Sequence, residues 1–493
     1  MQKFTLTIIG FFTGLLAFSQ VTSKNSIPNI VNQSQVEAHV RFLASDELKG
    51  RDTGSPELDI AAQYIASYFQ GYGVQPLDSA NSYFQPVSLF NESPPTAATL
   101  SFQGEEFQLV KDMLLLAGDS LSKESPTVFV NYGMPEDLEG VDLEGKIAVA
   151  LLGRPGDTNP QSAFFASPQK QAQVAEMGGV ALVELYRSAQ VPWSLLVRYL
   201  NSDQMKVGGD AEEELPIVWL NDGQSTLKGL FEEKSGEIAS LNIGSKIRQP
   251  VNTKNVVGVL EGTNPDLRNE YVVLSAHYDH IGANPQATGA EDSIYNGARD
   301  NALGTTALLS AAKYFSENPP QRSVVFLAFT AEEKGLLGSQ YYTKNPLVPM
   351  EQIVFNLNTD GAGYNDTTKV TAIGLERTSA QEAIASAAQS VGLAAIGDPV
   401  PEQNLYDRSD NVNFAKLGVP SVTFSPGITA FDAEIMKYYH QVTDEVGSLN
   451  FSYAEQYCEA FVQAAENIAN LKKAPTWQEG DKYEEAGKQL YGR

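Results

Sequence analysis

The chain has 493 residues, 42% of them hydrophobic, and 60 acidic against 34 basic side chains give it a formal net charge of −26. That length and apolar content suffice for a sizeable core and suggest two domains, while the charge argues against nucleic acid or an anionic membrane surface as partner, because Coulomb repulsion opposes both. A single cysteine, Cys458, excludes an intrachain disulfide and any thiolate cluster.

Residues 1–19, MQKFTLTIIGFFTGLLAFS, carry Lys3, an apolar run from Leu6 to Phe18, and the small residues Ala17 and Ser19 before Gln20. This pattern predicts a secretory signal peptide. The run is short for a bilayer span, so export to a periplasm or the extracellular space is expected, with no stable membrane anchor. Residues 31–122 form the first part of the larger domain. Within it, Val36, Val40 and Leu43, then Ile60, Ala61, Tyr64, Ile65, Tyr68 and Phe69, recur at helical spacing and predict two amphipathic helices around a polar turn. His39 reads as an ordinary packed or surface histidine.

Short strands are expected over 84–120. From 123 to 235 the texture changes to short strands, a Gly-Lys turn and one helix, which predicts a small inserted unit. Residues 236–472 complete the larger domain, and 473–493 form a charged tail expected to be mobile. No internal repeat is present.

The stretch Ser323 to Gly338, SVVFLAFTAEEKGLLG, organises the second half. Its apolar run, Ser323 to Thr330, predicts a strand buried on both faces, as in the middle of a parallel sheet. Two carboxylates follow, Glu332 and Glu333, at the carboxyl end where open α/β sheets place their ligands. Other segments repeat the arrangement. EYVVLSAHYDHIG ends in His277, Asp279 and His280; QIVFNLNTDGAG ends in Asp360; NGARDNALGTTALL passes from a loop at Asp300 into a helix; and YYHQVTD brings His440. A single acid at a strand end is an ordinary cap, but apolar strands that repeatedly deliver His or acid to one edge call for another explanation. Two imidazoles and three carboxylates suit Zn²⁺, and five such side chains fit a pair of ions with one bridging carboxylate.

In this order HYDHIG, NGARDNALGTTALL, FLAFTAEEKGLLGS, NTDGAG and YYHQVTD resemble the two-zinc aminopeptidase family of secreted bacterial and yeast enzymes, which is related to glutamate carboxypeptidase. DLEGVDLEGKI (137–147) and AEMGGVAL (175–182) resemble pieces of a protease-associated domain. The resemblance implies an α/β fold with a mixed, mostly parallel central sheet, helices on both faces, and the inserted small β-rich domain. It implies two Zn²⁺: His277 and Asp360 on one, Glu333 and His440 on the other, Asp300 bridging both. Glu332 resembles the general base, Tyr439 the phenol that hydrogen-bonds the oxyanion, and Asp279 the carboxylate that orients the His277 imidazole. The peptide Asp300–Asn301 corresponds to one that is cis in relatives. One departure stands out: RSDNVNF (408–414) has Asn411 where the family usually carries histidine, and Arg408 there reads equally as a substrate contact or a structural ion pair.

These features point to removal of N-terminal residues from peptides, because acidic ligands leave negative charge that accepts a free α-ammonium group. A carboxypeptidase of the same fold would need a cluster of basic residues for a terminal carboxylate, and none is evident. A glutaminyl cyclase-like enzyme and a non-catalytic receptor-like homologue would also be compatible with this fold.

Overall fold

Three apolar segments, Tyr271–His277, Ser323–Phe329 and Ile353–Thr359, run parallel as neighbours at the centre of a nine-stranded sheet, with Tyr271–His277 between the other two. Their residues are almost all buried, which is why they read as continuous rather than alternating apolar runs. The computed structural model describes residues 26–77, 81–156, 160–187, 191–208, 214–284 and 292–492. The expected signal peptide lies outside the described residues.

Alternate side chains of the central strands serve two cores. Val272, Leu274, Val324 and Phe326 face the helices Gln33–Leu43, Pro56–Tyr72, Leu303–Glu317, Gln381–Ser390 and Phe451–Ala469. Val273, Val325, Leu327 and Phe329 face Tyr342 and Phe414 on the opposite side. Helices thus cover both faces. The two N-terminal helices start where side-chain oxygens can cap them: Asn32 accepts from the Gln35 N–H, and Ser55, ahead of Pro56, from the Leu58 N–H. Helix Leu303–Glu317 approaches the sheet closely because residue 304 is glycine. A Cβ there would lie 2.7 Å from the Thr359 carbonyl oxygen.

The sheet is mixed. Ser421–Pro426 extends the parallel set beside Ile353–Thr359, whereas Lys369–Ile373 on one side and the long strand Ile247–Leu260 on the other pair antiparallel. Phe84–Ser93 pairs with Ile247–Leu260 over ten residues, ending at Ser93 opposite Ile247. Just beyond that end the chain enters and leaves a second, eight-stranded sheet whose strands lie between Ala98 and Ile243. This span is wider than 123–235. Ala98–Phe102 and Ile238–Ile243, at its two ends, pair with each other, a long-range pairing that short strands do not advertise locally. One strand from within that span, Gln204–Val207, returns to the first sheet.

The C-terminal segment is ordered, contrary to the mobility expected of it. Trp477 is buried and donates its indole N–H to the Gly418 carbonyl at 2.9 Å. Asp481 accepts from Arg377 at 2.6 and 2.9 Å, and the Tyr491 hydroxyl donates to the Ile353 carbonyl at 2.6 Å. Charge density suggested a solvated tail, but its aromatic residues anchor it.

At the passage between the sheets Glu92 is buried and receives Lys206 at 2.6 Å, Lys246 at 3.1 Å and Arg248 at 2.8 Å. Burial would raise its pKa, but hydrogen bonds from these three cations outweigh it and hold the carboxyl down at about 2. A depressed folded-state pKa stabilises above the unfolded value and loses that contribution as pH falls through the folded one. Glu92→Gln is therefore expected to cost ~1–2 kcal/mol at neutral pH, with half-exposed Lys206 and Arg248 discounted for solvent screening. In denaturant titrations the deficit should shrink as the pH drops from the ordinary glutamate range towards 2.

Candidate metal centre

The parallel strands end on one edge, and that edge collects the acids and imidazoles. His277 closes its strand, Glu332 and Glu333 follow Phe329, and Asp360 follows Thr359. Asp300 lies in the turn that opens helix Leu303–Glu317, and His440 follows the short helix Ala433–Met436. Asp300 faces both imidazoles: its Oδ1 is 3.3 Å from His277 Nε2 and its Oδ2 is 3.4 Å from His440 Nε2. On the first side Asp360 Oδ1 lies 3.2 Å from the same His277 nitrogen. On the second, Glu333 Oε2 lies 3.1 Å from His440 Nε2. Glu332 offers an oxygen within 4.8 Å of ligand atoms of His277 and Asp360. All five side chains expected as ligands, with Glu332, thus meet at one place.

Asp279 is arranged differently from the expectation. Its nearer carboxylate oxygen is 3.8 Å from His277 Nδ1, beyond hydrogen-bond reach, and the backbone oxygen of Asp279, at 3.2 Å, is the closer partner of that nitrogen. The carboxylate instead accepts from the backbone N–H groups of Glu332 at 3.1 Å and Glu333 at 3.3 Å, and from the Thr53 hydroxyl at 3.2 Å. It fixes the turn that presents both glutamates. A side-chain spacing of two along a strand cannot distinguish these roles, since the partner N–H groups lie more than fifty positions away.

Several supporting residues carried no recognisable sequence signal. The buried Asp444 carboxylate accepts from the N–H groups of Arg299 and Asp300 at 3.0–3.1 Å, holding the Asp300 turn, where the Asp300–Asn301 peptide is cis. Arg299 stacks between the rings of Tyr364 and Tyr438, 4.3 and 3.7 Å from their centroids, and donates to Ser448. The Ser409 hydroxyl donates to Asp360 Oδ2 at 2.5 Å and accepts from the Asn358 amide at 2.8 Å. His280, to which the sequence assigns no role, places Nδ1 2.6 Å from Glu333 Oε1, so the two oxygens of Glu333 face different imidazoles. Arg51 is buried behind the site and donates to the carbonyls of Leu43, Tyr278, Asn296 and Gly297. Asn411 is spent on the Tyr406 carbonyl at 3.1 Å. Arg408 donates to the Tyr439 hydroxyl at 3.1 Å and has no ion-pair partner among the described residues.

So many carboxyl groups in one dry place cannot all hold their ordinary pKa. Burial, reinforced by Asp360, Glu333 and Asp410, pushes Glu332 well above the carboxylate range against an opposing pull from His277. Burial likewise lifts Asp410 to about 7 and Asp444 to about 6. Asp300 and Glu333 go the other way despite burial, Glu333 to about 2, because imidazoles hydrogen-bond them. Their partner His440 rises to about 10: burial lowers it, but hydrogen bonds to Asp300 and Glu333 prevail. The centre has an excess of negative charge that bound cations relieve, and its nitrogen and oxygen donors match zinc.

A cavity of about 390 Å³ opens onto this centre. Asp300, Glu332, Glu333, Asp360, Tyr439 and His440 form its floor and one wall, while Ile373, Leu405, Ile428 and Phe431 give it an apolar side.

Comparison with known proteins agrees with this architecture. An aminopeptidase from Aneurinibacillus sp. strain AM-1 has the same fold, with a TM-score of 0.57 at 20% identity, covering 92% of this chain and 97% of that one. Aminopeptidase YwaD of Bacillus subtilis (strain 168) is 26% identical over 405 residues, 79% of this chain and 76% of its own length. A vacuolar membrane protease of Kluyveromyces lactis is 31% identical over 156 residues, which span 15% of that protein. Residues 255–465, which hold every side chain facing the candidate ions, match the model of peptidase family M28.

Proposed function

We propose that this protein is a zinc-dependent aminopeptidase that removes N-terminal residues from peptides. The observation that carries the reading is Asp300, whose two oxygens face separate His-carboxylate pairs. That arrangement supports two zinc ions, one with His277 and Asp360, the other with Glu333 and His440, and Asp300 shared. A zinc pair bound there supplies Lewis acidity to the scissile carbonyl and makes an attacking water more acidic.

The chain's own residues do the rest. Glu332, beside His277 and Asp360, takes the proton of the attacking water and delivers it to the leaving amine; a carboxyl raised by burial is suited to holding that proton between the two steps. Tyr439 stays protonated, since burial and the Asp300 carboxylate push its phenol up, and it donates to the developing oxyanion. Asp279 and Asp444 hold the Glu332–Glu333 and Asp300 turns in place. The excess acidity of the floor attracts the substrate's α-ammonium group, and the apolar side of the cavity accommodates its first side chain. The N-terminal sequence supports export as the setting. Among the described residues no helix is long and apolar enough to cross a membrane.

Three outcomes test this. Purified protein should hydrolyse aminoacyl-nitroanilides and spare N-blocked peptides; activity confined to N-blocked peptides would overturn the reading. Glu332→Gln should retain about two zinc ions per chain by elemental analysis while kcat falls roughly 10²–10⁴-fold. Chelation should lower the thermal midpoint, and zinc at about 100 times its Kd should return ~2.7 kcal/mol of stability.

A further inference from the structure

One part of the cavity lining is a single turn, Leu405–Arg408, followed by Ser409. Leu405, Asp407, Arg408 and Ser409 all line the cavity. On its cavity side the turn is tied to the centre, through Arg408 to the Tyr439 hydroxyl and through Ser409 to Asp360. Its other side is held in the core through Tyr406, whose hydroxyl donates to the Ser421 carbonyl at 2.9 Å, and at Asp407 by the C-terminal segment. Lys482 places Nζ 2.9 and 2.8 Å from the two oxygens of Asp407, and the Tyr483 hydroxyl donates to the same carboxylate at 3.2 Å. Tyr406 is buried under Arg377, whose guanidinium lies 3.8 Å from its centroid. Arg377 is held in turn by Asp481. The anchor itself is secured by Trp477, which packs with Tyr406 in one small apolar cluster.

We propose that the C-terminal segment 474–492 is a clasp that positions the substrate-binding wall of the cavity, with Lys482 and Tyr483 as positioning residues acting through Asp407. A turn of four residues has no regular hydrogen-bond ladder of its own to fix it. Asp407 neutralised by Lys482 is fixed at the rim, so the adjacent Arg408 is aimed at Tyr439 and Leu405 at the apolar side. Released, Asp407 is an uncompensated charge beside an acidic floor, and the turn relaxes towards solvent. The clasp touches none of the groups facing the candidate ions, so it sets how substrate is gripped and leaves the metal set alone.

The inference rests on the cavity being the peptide site, and the experiment separates the two. Lys482→Glu should raise KM for aminoacyl and dipeptide substrates about threefold or more, the scale of a lost partly buried ion pair, with kcat and zinc content within about twofold by the same measure. Lys482→Arg should restore the parent KM. Lys488→Glu, which breaks an i,i+4 pair with Glu484 on the same C-terminal helix, is the control and should leave KM unchanged. Amide hydrogen exchange over 403–410 should accelerate in Lys482→Glu without any substrate present. Unchanged exchange, or an equal KM rise in Lys482→Glu and Lys488→Glu, overturns the clasp. A parent protein with no peptidase activity but faster exchange in Lys482→Glu would instead sink the peptidase reading and leave the clasp standing.

Discussion

One carboxylate shared between two imidazoles is the constraint around which the molecule is organised. Asp300 can present a different oxygen to His277 and to His440 only if its turn is fixed to within fractions of an ångström, and it is held by Asp444 from one side and by Asn301 bonding to the Thr359 carbonyl at 2.9 Å from the other. His277 arrives at the end of the central strand of a parallel trio, so its position is set by strands on both sides. The acid pair after Phe329 is fixed by Asp279, which spends its carboxylate on their backbone. Each group at the centre therefore depends on a buried polar partner, and each partner is itself on a rigid element or beside one.

This organisation has an electrostatic cost that the fold manages in layers. Carboxylates taken out of water must be paired, protonated or bound to cations. Imidazoles pair Asp300 and Glu333, backbone N–H groups serve Asp279 and Asp444, and the buried guanidinium of Arg51 contributes positive potential from behind while satisfying four carbonyls. What remains uncompensated lies at the cavity floor. On the proposed reading, a peptide amine is drawn to the same charge that draws metal.

Much of this was legible in the chain. The central strands announce themselves because burial on both faces leaves no polar alternation, and an acid or imidazole directly after such a run has few structural explanations. His277, Glu332, Glu333 and Asp360 follow that logic, whereas Asp300, in a turn ahead of a helix, and His440, after a short helix, rest on the family resemblance. Asp444 and Arg299 were not legible, because a carboxylate that caps a turn from 144 positions away, or a guanidinium stacked between two tyrosines, depends on tertiary proximity that no local pattern encodes. The C-terminal segment misled for a related reason: charged residues dominate its composition, but Trp477, Tyr483 and Tyr491 decide its fate. The second sheet begins at Ala98, ahead of the expected unit, because edge strands as short as Ala98–Phe102 and Glu105–Gln108 gain their identity only from their partners.

The paired strands Phe84–Ser93 and Ile247–Leu260 have a structural consequence. They form a ribbon, hydrogen-bonded along ten residues and flanked by Gln204–Val207 over Leu89–Glu92, that extends the first sheet beyond Ser323–Phe329 and delivers the chain to the second sheet. A fourteen-residue strand at about 3.3 Å per residue is roughly 45 Å of stiff backbone. Near its middle the Thr253 hydroxyl meets that of Thr330, two positions before Glu332. The strand that carries the chain out of the second sheet is thus bonded, through one pair of hydroxyls, to the segment that bears the two glutamates.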